Sequence, residues 1–321
     1  MDNNEIKVSV LCTAFNHAKY IRETLDAFVS QVTDFGFEVI VHDDASTDET
    51  ADIIREYAER FPAIIRPVLQ QENQYSQNID IFKQHINPLV RGKYVALCEG
   101  DDYWTDTNKL QKQFDVMENN PECSMSTNAV LVINEDGTPT MKYRPSVAID
   151  EGPIAIERFL EIQHTYPFQT ASFFVKSELW FDICNNPPAF RKAADVGDEP
   201  ILLYMLLYGD IYYLPQCMSV YRAFSVGSWS ASNKFSIQKR LRHAECMYEM
   251  MRLFDEQTNH AYDCNLDYRR GTVLWLSEEY RELAKKENRA YVKQMSFCKR
   301  MFVYLCAVFP FVAKIRGTQK R

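Results

Sequence analysis

Residues 37–49 read Phe-Glu-Val-Ile-Val-His-Asp-Asp-Ala-Ser-Thr-Asp-Glu. The run Phe37 to His42 is apolar and β-branched, the length of a buried strand and too short for a core helix. It stops on Asp43-Asp44. Ser46 and Glu49 then have the Ser-x-x-Glu spacing of a helix-capping box, and Ile53, Ile54, Tyr57 and Phe61 supply a helical stripe behind it. A strand, an acidic turn and a helix thus follow one another directly.

Outward from this unit the pattern repeats. Upstream, Val8 to Thr13 is another buried-strand run, and Ile21, Leu25, Phe28 and Val29 share one helical face. Downstream, Ile64 to Leu69 and Tyr94 to Cys98 read as third and fourth strands. The fourth closes on Glu99-Gly100-Asp101-Asp102, and Leu110, Phe114 and Met117 mark a further helix. Strands alternating with helices predict a parallel sheet with right-handed crossovers and ligands at the carboxyl ends of the strands. Acidic residues crowd those ends. No GxGxxG and no Walker-type loop follows the first strand, which argues against a dinucleotide dehydrogenase and a P-loop NTPase.

From about 123 to 225, strands (Ala129 to Ile133, Ala171 to Val175) mix with Pro-bearing loops. A helix with Ile201, Leu202, Met205 and Leu206 follows Gly197-Asp198-Glu199-Pro200. Beyond Phe235 the pattern is helical. The GSWSASN stretch at 227–233 interrupts the periodicity, so the expected division is 1–230 and a helical C-terminal region, 231–321.

The 321 residues, 46% hydrophobic and 25% charged, suffice for a sizeable core and exclude a disordered or collagen-like chain. Nine Cys stand singly, with no Cys-x-x-Cys pair, which favours a reducing compartment over a disulfide framework or zinc site. MDNNEIK opens the chain without an apolar stretch behind a basic start, so no leader is expected and the setting is read as cytoplasmic. Charge is uneven. Residues 285–321 hold ten Lys and Arg against Glu287 alone, while the rest holds 26 basic against 43 acidic residues. An acidic body with a basic end does not suit a nucleic-acid partner.

Two acidic turns at sheet carboxyl ends, with no Cys or His ligands nearby, suit Mg²⁺ or Mn²⁺, which take oxygen ligands from one or two carboxylates plus substrate phosphates. At these residues a family resemblance becomes specific. Ser9 to Asn16 (SVLCTAFN) resembles the opening strand and turn of family 2 glycosyltransferases of the GT-A fold. Asp43-Asp44-Ala45-Ser46-Thr47-Asp48 resembles their DDGSTD segment, and Glu99-Gly100-Asp101-Asp102-Tyr103-Trp104 is similar to their metal-binding DxD element. Asp198-Glu199, ahead of Leu-rich sequence and Tyr221-Arg222, resembles the segment holding their catalytic carboxylate. The likeness covers about residues 6–230, and the body resembles bacterial enzymes that build surface polysaccharides.

The resemblance implies an α/β protein: a GT-A-type, Rossmann-like mixed sheet flanked by helices, with a helical C-terminal extension. It implies that Thr13 and Phe15 line the base pocket, that Asp44 accepts from base or ribose, and that Asp101 sits near the ribose. Asp102 would ligate Mn²⁺ or Mg²⁺ on the diphosphate, and Asp198 would be the general base, with Glu199 the candidate if the register differs by one. Three positions depart from the family pattern. Ala45 replaces the usual Gly, which suggests that the turn does not need a positive φ. Glu99 stands where the first acid is often Asp. Phe224, in Tyr221-Arg222-Ala223-Phe224, replaces a His and cannot be a ligand.

Trp104 reads either as a wall of the sugar pocket or as core packing at a strand exit. Trp229, in a GxWS element, is a candidate flap over donor or acceptor. Gln74 to Asn78 (QYSQN) resembles a segment that closes over the nucleotide, and suits a polar surface loop equally. Met301 to Ala313, an apolar run between Lys299-Arg300 and Lys314/Arg316, is too short to span a bilayer, which needs about 20 residues. It reads as a last core helix or as an interfacial helix on anionic lipid. The resemblance thus implies a cytoplasmic, metal-dependent, inverting glycosyltransferase, which would be peripheral at the inner face of the plasma membrane if the 301–313 run is the interfacial helix. It would move sugar from a nucleotide-sugar donor, UDP-linked in preference, to a glycan or lipid-linked glycan acceptor. The alternatives are a nucleotidyltransferase-like enzyme, which should carry a Gly-rich basic loop after the first strand, and a non-catalytic sugar-nucleotide-binding scaffold, which should lack Asp102 or Asp198.

Overall fold

The structure, a computed structural model, describes residues 5–165, 167–223, 225, 236–310 and 312–313. The chain divides into two compact units, residues 1–187 with 201–228 and residues 188–200 with 229–321.

The first unit is built on ten strands. Its opening half runs β1 (Ile6–Ala14), α1 (Ile21–Val29), β2 (Gly36–Asp43), α2 (Thr50–Arg60), β3 (Ile65–Leu69) and β4 (Tyr94–Leu97). Then come β5 (Tyr103–Trp104), α3 (Lys109–Asn119), β6 (Cys123–Ile133), β7 (Pro139–Arg144) and β8 (Gly152–Ile154). The unit closes with α4 (Ile156–Ile162), β9 (Phe174–Lys176), α5 (Ser177–Asn185) and β10 (Asp210–Arg222). The sheet order is β3-β2-β1-β4-β9-β6-β10-β5, with β7 on β6 and β8 on β10. Strands β1 to β4 are mutually parallel, as the strand–helix alternation predicts, whereas β9 runs antiparallel to both β4 and β6. The sheet is therefore mixed.

Central strands covered on both faces read as continuous apolar runs. Val8, Val10 and Cys12 of β1 pack with Val39 and Val41 of β2 and with Ile21, Leu25 and Phe28 of α1. Leu11 and Ile40, on the alternate face, are buried as well. Glu38 interrupts the run on β2 and is fully buried. Ser9 Oγ donates to it at 2.7 Å, and Arg91 Nε and Nη2 and Arg66 Nη1 donate to Oε2 at 2.6–2.9 Å. Burial alone would raise this carboxyl; the Arg91, Ser9 and Arg66 donors hold it below the usual range.

The capping box does not form. Helix α2 begins at Thr50, and Asp48 Oδ1 accepts from the Thr50 amide at 3.0 Å. Ser46 is drawn into the turn instead, donating amide and hydroxyl to Asp43. Ala45 has φ +58°, so the turn does use the left-handed region, contrary to the inference from Ala replacing Gly.

The second unit holds α6 (Ala189–Ala193), α7 (Asp198–Leu206), inside which the division falls, and α8 (Ile237–Gln257). After these come α9 (Leu266–Leu276), α10 (Tyr280–Leu283), α11 (Arg289–Gln294) and α12 (Phe297–Val308). The Ser236 hydroxyl caps α8 by accepting from the Lys239 amide at 3.2 Å. Leu274, Tyr280, Leu283, Tyr291, Val292, Val303 and Cys306 form one cluster. Gly271 lets α9 approach closely there: a Cβ would lie 2.3 Å from Tyr291 Cγ. Among the described residues no helix is long and apolar enough to cross a membrane.

Candidate active site

Three turns meet at the carboxyl end of β1. The Asp44 amide donates to Ala14 O at 3.0 Å and the Gly100 amide to Thr13 O at 2.9 Å, which joins the β2 and β4 turns to the strand between them. Asn16, itself left-handed, accepts from the Thr47 amide at 2.8 Å.

In the β2 turn each aspartate is engaged within the protein. Asp43 holds Ser46, and Asp48 Oδ2 accepts from the Ala18 amide at 3.1 Å. Asp44 accepts from the amides of Gln74 (2.7 Å) and Tyr75 (3.0 Å), which binds the QYSQN segment to this turn. Phe15, which follows Ala14 at the end of β1, is 44% exposed.

The β4 turn is built by close approach. A Cβ on Gly100 would lie 2.8 Å from Ile21 Cδ1 and 3.0 Å from His17 Nδ1, so only glycine fits without displacement. Thr24 Oγ1, from α1, reaches the carbonyls of Gly100 (3.1 Å) and Asp102 (2.6 Å). Asp102 is buried, and its Oδ1 accepts from the Arg222 amide at 2.8 Å. Burial first, then the negative charges of Asp101 and Glu99, push its carboxyl well above the usual range. Asp101 Oδ2 accepts from Ser225 Oγ at 2.6 Å.

Arg222 ties this corner together. Its Nε donates to Asp101 O, its Nη1 to Glu135 O and its Nη2 to Glu23, and its guanidinium lies 4.6 Å from the Tyr20 ring centroid. Its neighbour Ala223 lines, with Lys19, Tyr20, Asn134, Glu135 and Asp136, an open cleft of about 500 Å³.

Trp104 is 4% exposed. Its Nε1 donates to Ala171 O at 2.9 Å, its ring meets Phe28 edge-on, and buried Lys109 Nζ lies 4.1 Å from its centroid. These contacts are those of the packing reading. Asp198 lies in the second unit, at the start of α7, and its Oδ1 accepts from the Glu199 amide at 2.8 Å. Burial raises both carboxyls. Arg269 Nη2 donates to Glu199 Oε1 at 2.6 Å and offsets part of that rise. Trp229 and Phe224 lie outside the described residues.

Asp102 fits a divalent cation by the chemistry of its donor atoms, a buried carboxylate crowded by two others. Among the described residues no three His, Cys, Asp or Glu side chains form a cage. The donor set suits an ion that arrives with phosphate oxygens rather than one held by protein alone.

Neither Thr24 nor the several bonds of Arg222 are marked by a motif in the sequence. Thr24 left a signal, a polar residue on the apolar face of α1, three positions after Ile21. Arg222 left only its place after Tyr221 near the end of an apolar strand.

A mixed sheet whose parallel strands deliver acidic turns to one edge, flanked by helices, is the GT-A type of α/β architecture. The chain belongs to glycosyl transferase family 2, whose family model matches residues 9–195. An uncharacterized protein of Mycobacterium tuberculosis is 36% identical over 234 residues, 70% of this chain and 61% of that protein's length. The UDP-Glc:alpha-D-GlcNAc-diphosphoundecaprenol beta-1,3-glucosyltransferase WfaP of Escherichia coli is 32% identical over 111 residues, 35% of this chain and 41% of that enzyme. The mannosyltransferase PcManGT from Pyrobaculum calidifontis, solved in complex with GDP-Man and Mn²⁺, shares the fold with a TM-score of 0.53 at 15% identity. That match covers 98% of this chain and 88% of the other.

Proposed function

We propose that the protein transfers a sugar, with inversion and with a divalent metal, from a UDP-linked donor to a glycan or lipid-linked glycan acceptor. The observation that carries this reading is the β4 turn of a family 2 chain, where a buried Asp102 stands beside Asp101 with one oxygen held by the Arg222 amide.

In this reading Thr13 and half-exposed Phe15 pack on the base, and Asp44 accepts from base or ribose while it anchors the Gln74–Tyr75 segment. Asp101 faces the ribose. Asp102 would hold Mn²⁺ or Mg²⁺, which when bound offsets the charge of the departing diphosphate. Trp104 packs against Phe28 and Lys109 beside the turn, and Trp229 would be a flap over donor or acceptor. Asp198 takes the proton of the acceptor hydroxyl as its oxygen bonds to the anomeric carbon. The bond from that carbon to the diphosphate breaks, and the diphosphate leaves with the electron pair. The Arg269 bond to Glu199 supports Asp198 rather than Glu199 as the base, and burial, by raising Asp198, improves its basicity.

Residues 1–230 would carry this chemistry, with 231–321 as a helical region. The acceptor named for WfaP supports a lipid-linked substrate, and with it a peripheral place at the cytoplasmic face of the membrane.

A panel of nucleotide sugars, with Mn²⁺ or chelator, tests the reading by release of nucleoside diphosphate. One UDP-sugar should turn over, and chelator should abolish it; turnover unchanged in chelator overturns the metal. Asp198→Asn should keep donor binding and lose ~10² to 10⁴ in rate, with Glu199→Gln still active; the reverse result moves the base by one residue.

A further inference from the structure

Helix α12 carries two apolar faces, and the second-unit core uses one of them. Val303 and Cys306 point into the cluster with Leu274, Tyr280 and Tyr291. Phe297, Met301, Tyr304, Leu305 and Val308 follow the i, i+4, i+7, i+8, i+11 spacing of the other face, and they are 44–69% exposed. A surface helix ordinarily turns such a stripe inward, and a contiguous exposed one marks an interaction site.

The charge of the sequence on either side of the stripe says what it meets, although Lys285 also pairs with Glu282 at 2.7 Å. Lys285, Lys286, Arg289, Lys293 and Lys299 are exposed, and from 285 to the end ten Lys and Arg face one acidic residue in a chain that is otherwise acidic. We infer that this face of α12 docks in the plane of an anionic phospholipid surface, apolar side chains in the acyl boundary and cations on the headgroups. The inference rests on the peripheral membrane placement and gives it a surface. A helix of 12 residues is about 18 Å long, against about 30 Å of hydrocarbon, so it lies along the membrane. Pairing with the same face of a second copy would bring like cations together, which disfavours that occupant.

The test uses the full chain and vesicles of phosphatidylglycerol with phosphatidylethanolamine, against vesicles of phosphatidylcholine. The protein should sediment with the anionic vesicles, progressively less as salt rises. Met301→Asp with Leu305→Asp should weaken binding roughly tenfold or more, at unchanged melting temperature and unchanged transfer to a soluble acceptor. If that pair fails to fold, Arg289→Glu with Lys293→Glu should show the same loss. An intact chain that ignores anionic vesicles at low salt overturns the inference, as does an aspartate variant that folds and binds like the parent. A concentration-dependent dimer abolished by the aspartate pair, without vesicle binding, assigns the stripe to a second copy and also overturns it. Vesicle binding without sugar transfer would remove the transferase reading and leave this one standing.

Discussion

After β2, Asp43 accepts from the Ser46 amide and hydroxyl, Asp44 from the Gln74 and Tyr75 amides, and Asp48 from Ala18 and Thr50. After β4, Asp102 accepts from the Arg222 amide and Asp101 from the Ser225 hydroxyl, while Glu99, Asp101 and Asp102 crowd one another. The two turns leave strands on either side of β1 and look alike in sequence. Burial would raise Asp48, yet hydrogen bonds from Thr50 and Ala18 hold it below the ordinary range. Burial raises Asp102 too, and there neighbouring negative charge adds to the rise. A carboxylate surrounded by its own donors builds a loop. In the proposed function, one crowded by its own kind would take a cation that arrives from outside.

The sharpest way to break this contrast is to neutralise one acid in each turn. Asp102→Asn should lower transfer by ~10³ or more, because the metal's several kcal/mol of charge stabilisation goes with it. Asp43→Asn should leave turnover within about tenfold and cost ~1–3 kcal/mol of stability, the penalty of an unmatched buried hydrogen bond. If Asp43→Asn proved the inactive variant and Asp102→Asn the unstable one, the roles of the turns would be exchanged.

His42 lies under the β2 turn, fully buried. Burial, opposed by Asp44 and aided by His85, lowers its pKa to about 4. The unfolded chain takes up this proton near the ordinary pKa of about 6.5, and the folded chain does so only near 4. Stability is therefore present above 6.5 and falls as pH drops toward 4, by up to about 3 kcal/mol from this residue. Chemical denaturation at neutral and mildly acidic pH should show a shallower loss for His42→Gln than for the parent; equal losses would place the effect elsewhere.

Asp48→Ala removes the acceptor at the start of α2 and should cost about 1 kcal/mol in thermal or urea unfolding, with transfer unchanged. The smallest effect concerns Ala45. Relief of its left-handed backbone by Ala45→Gly exceeds the entropy that glycine loses on folding, so the variant should be more stable by about 0.5 kcal/mol. A lower melting temperature would mean that Ala45 makes contacts worth more than its strain.

Strands β1 to β4 and both acidic turns are legible in the sequence because buried parallel strands are short apolar runs, and their ends are marked by polar residues. What each turn does is less legible, because hydrogen-bond partners decide it. Ser46 and Asp48 both have cap chemistry, and only the position of Asp43 shows that Ser46 is occupied. Ala45 misleads because a residue can bear strain that its identity does not announce. Trp104 reads two ways until Ala171, 67 residues on, accepts its indole proton. The apolar run at 301–313 reads as core or as interface because periodicity alone does not say which stripe a helix buries, and α12 has two.

The bond from the Arg222 amide to Asp102 spans 120 residues. At a synthesis rate of about 5–20 residues per second, that separation is about 6–24 s of translation. During that interval the nascent chain carries Glu99, Asp101 and Asp102 without the strand that organises them, because β10 has yet to be made. The Arg222 bond to Asp102 is thus among the last contacts of the first unit whose two partners both exist, whereas Thr24 is synthesised before the turn that it holds. A ribosome-bound chain ending before Arg222 should accordingly protect β1 and β2 from proteolysis while leaving the Asp101-Asp102 turn open to attack, so the order of assembly puts scaffold before chemistry.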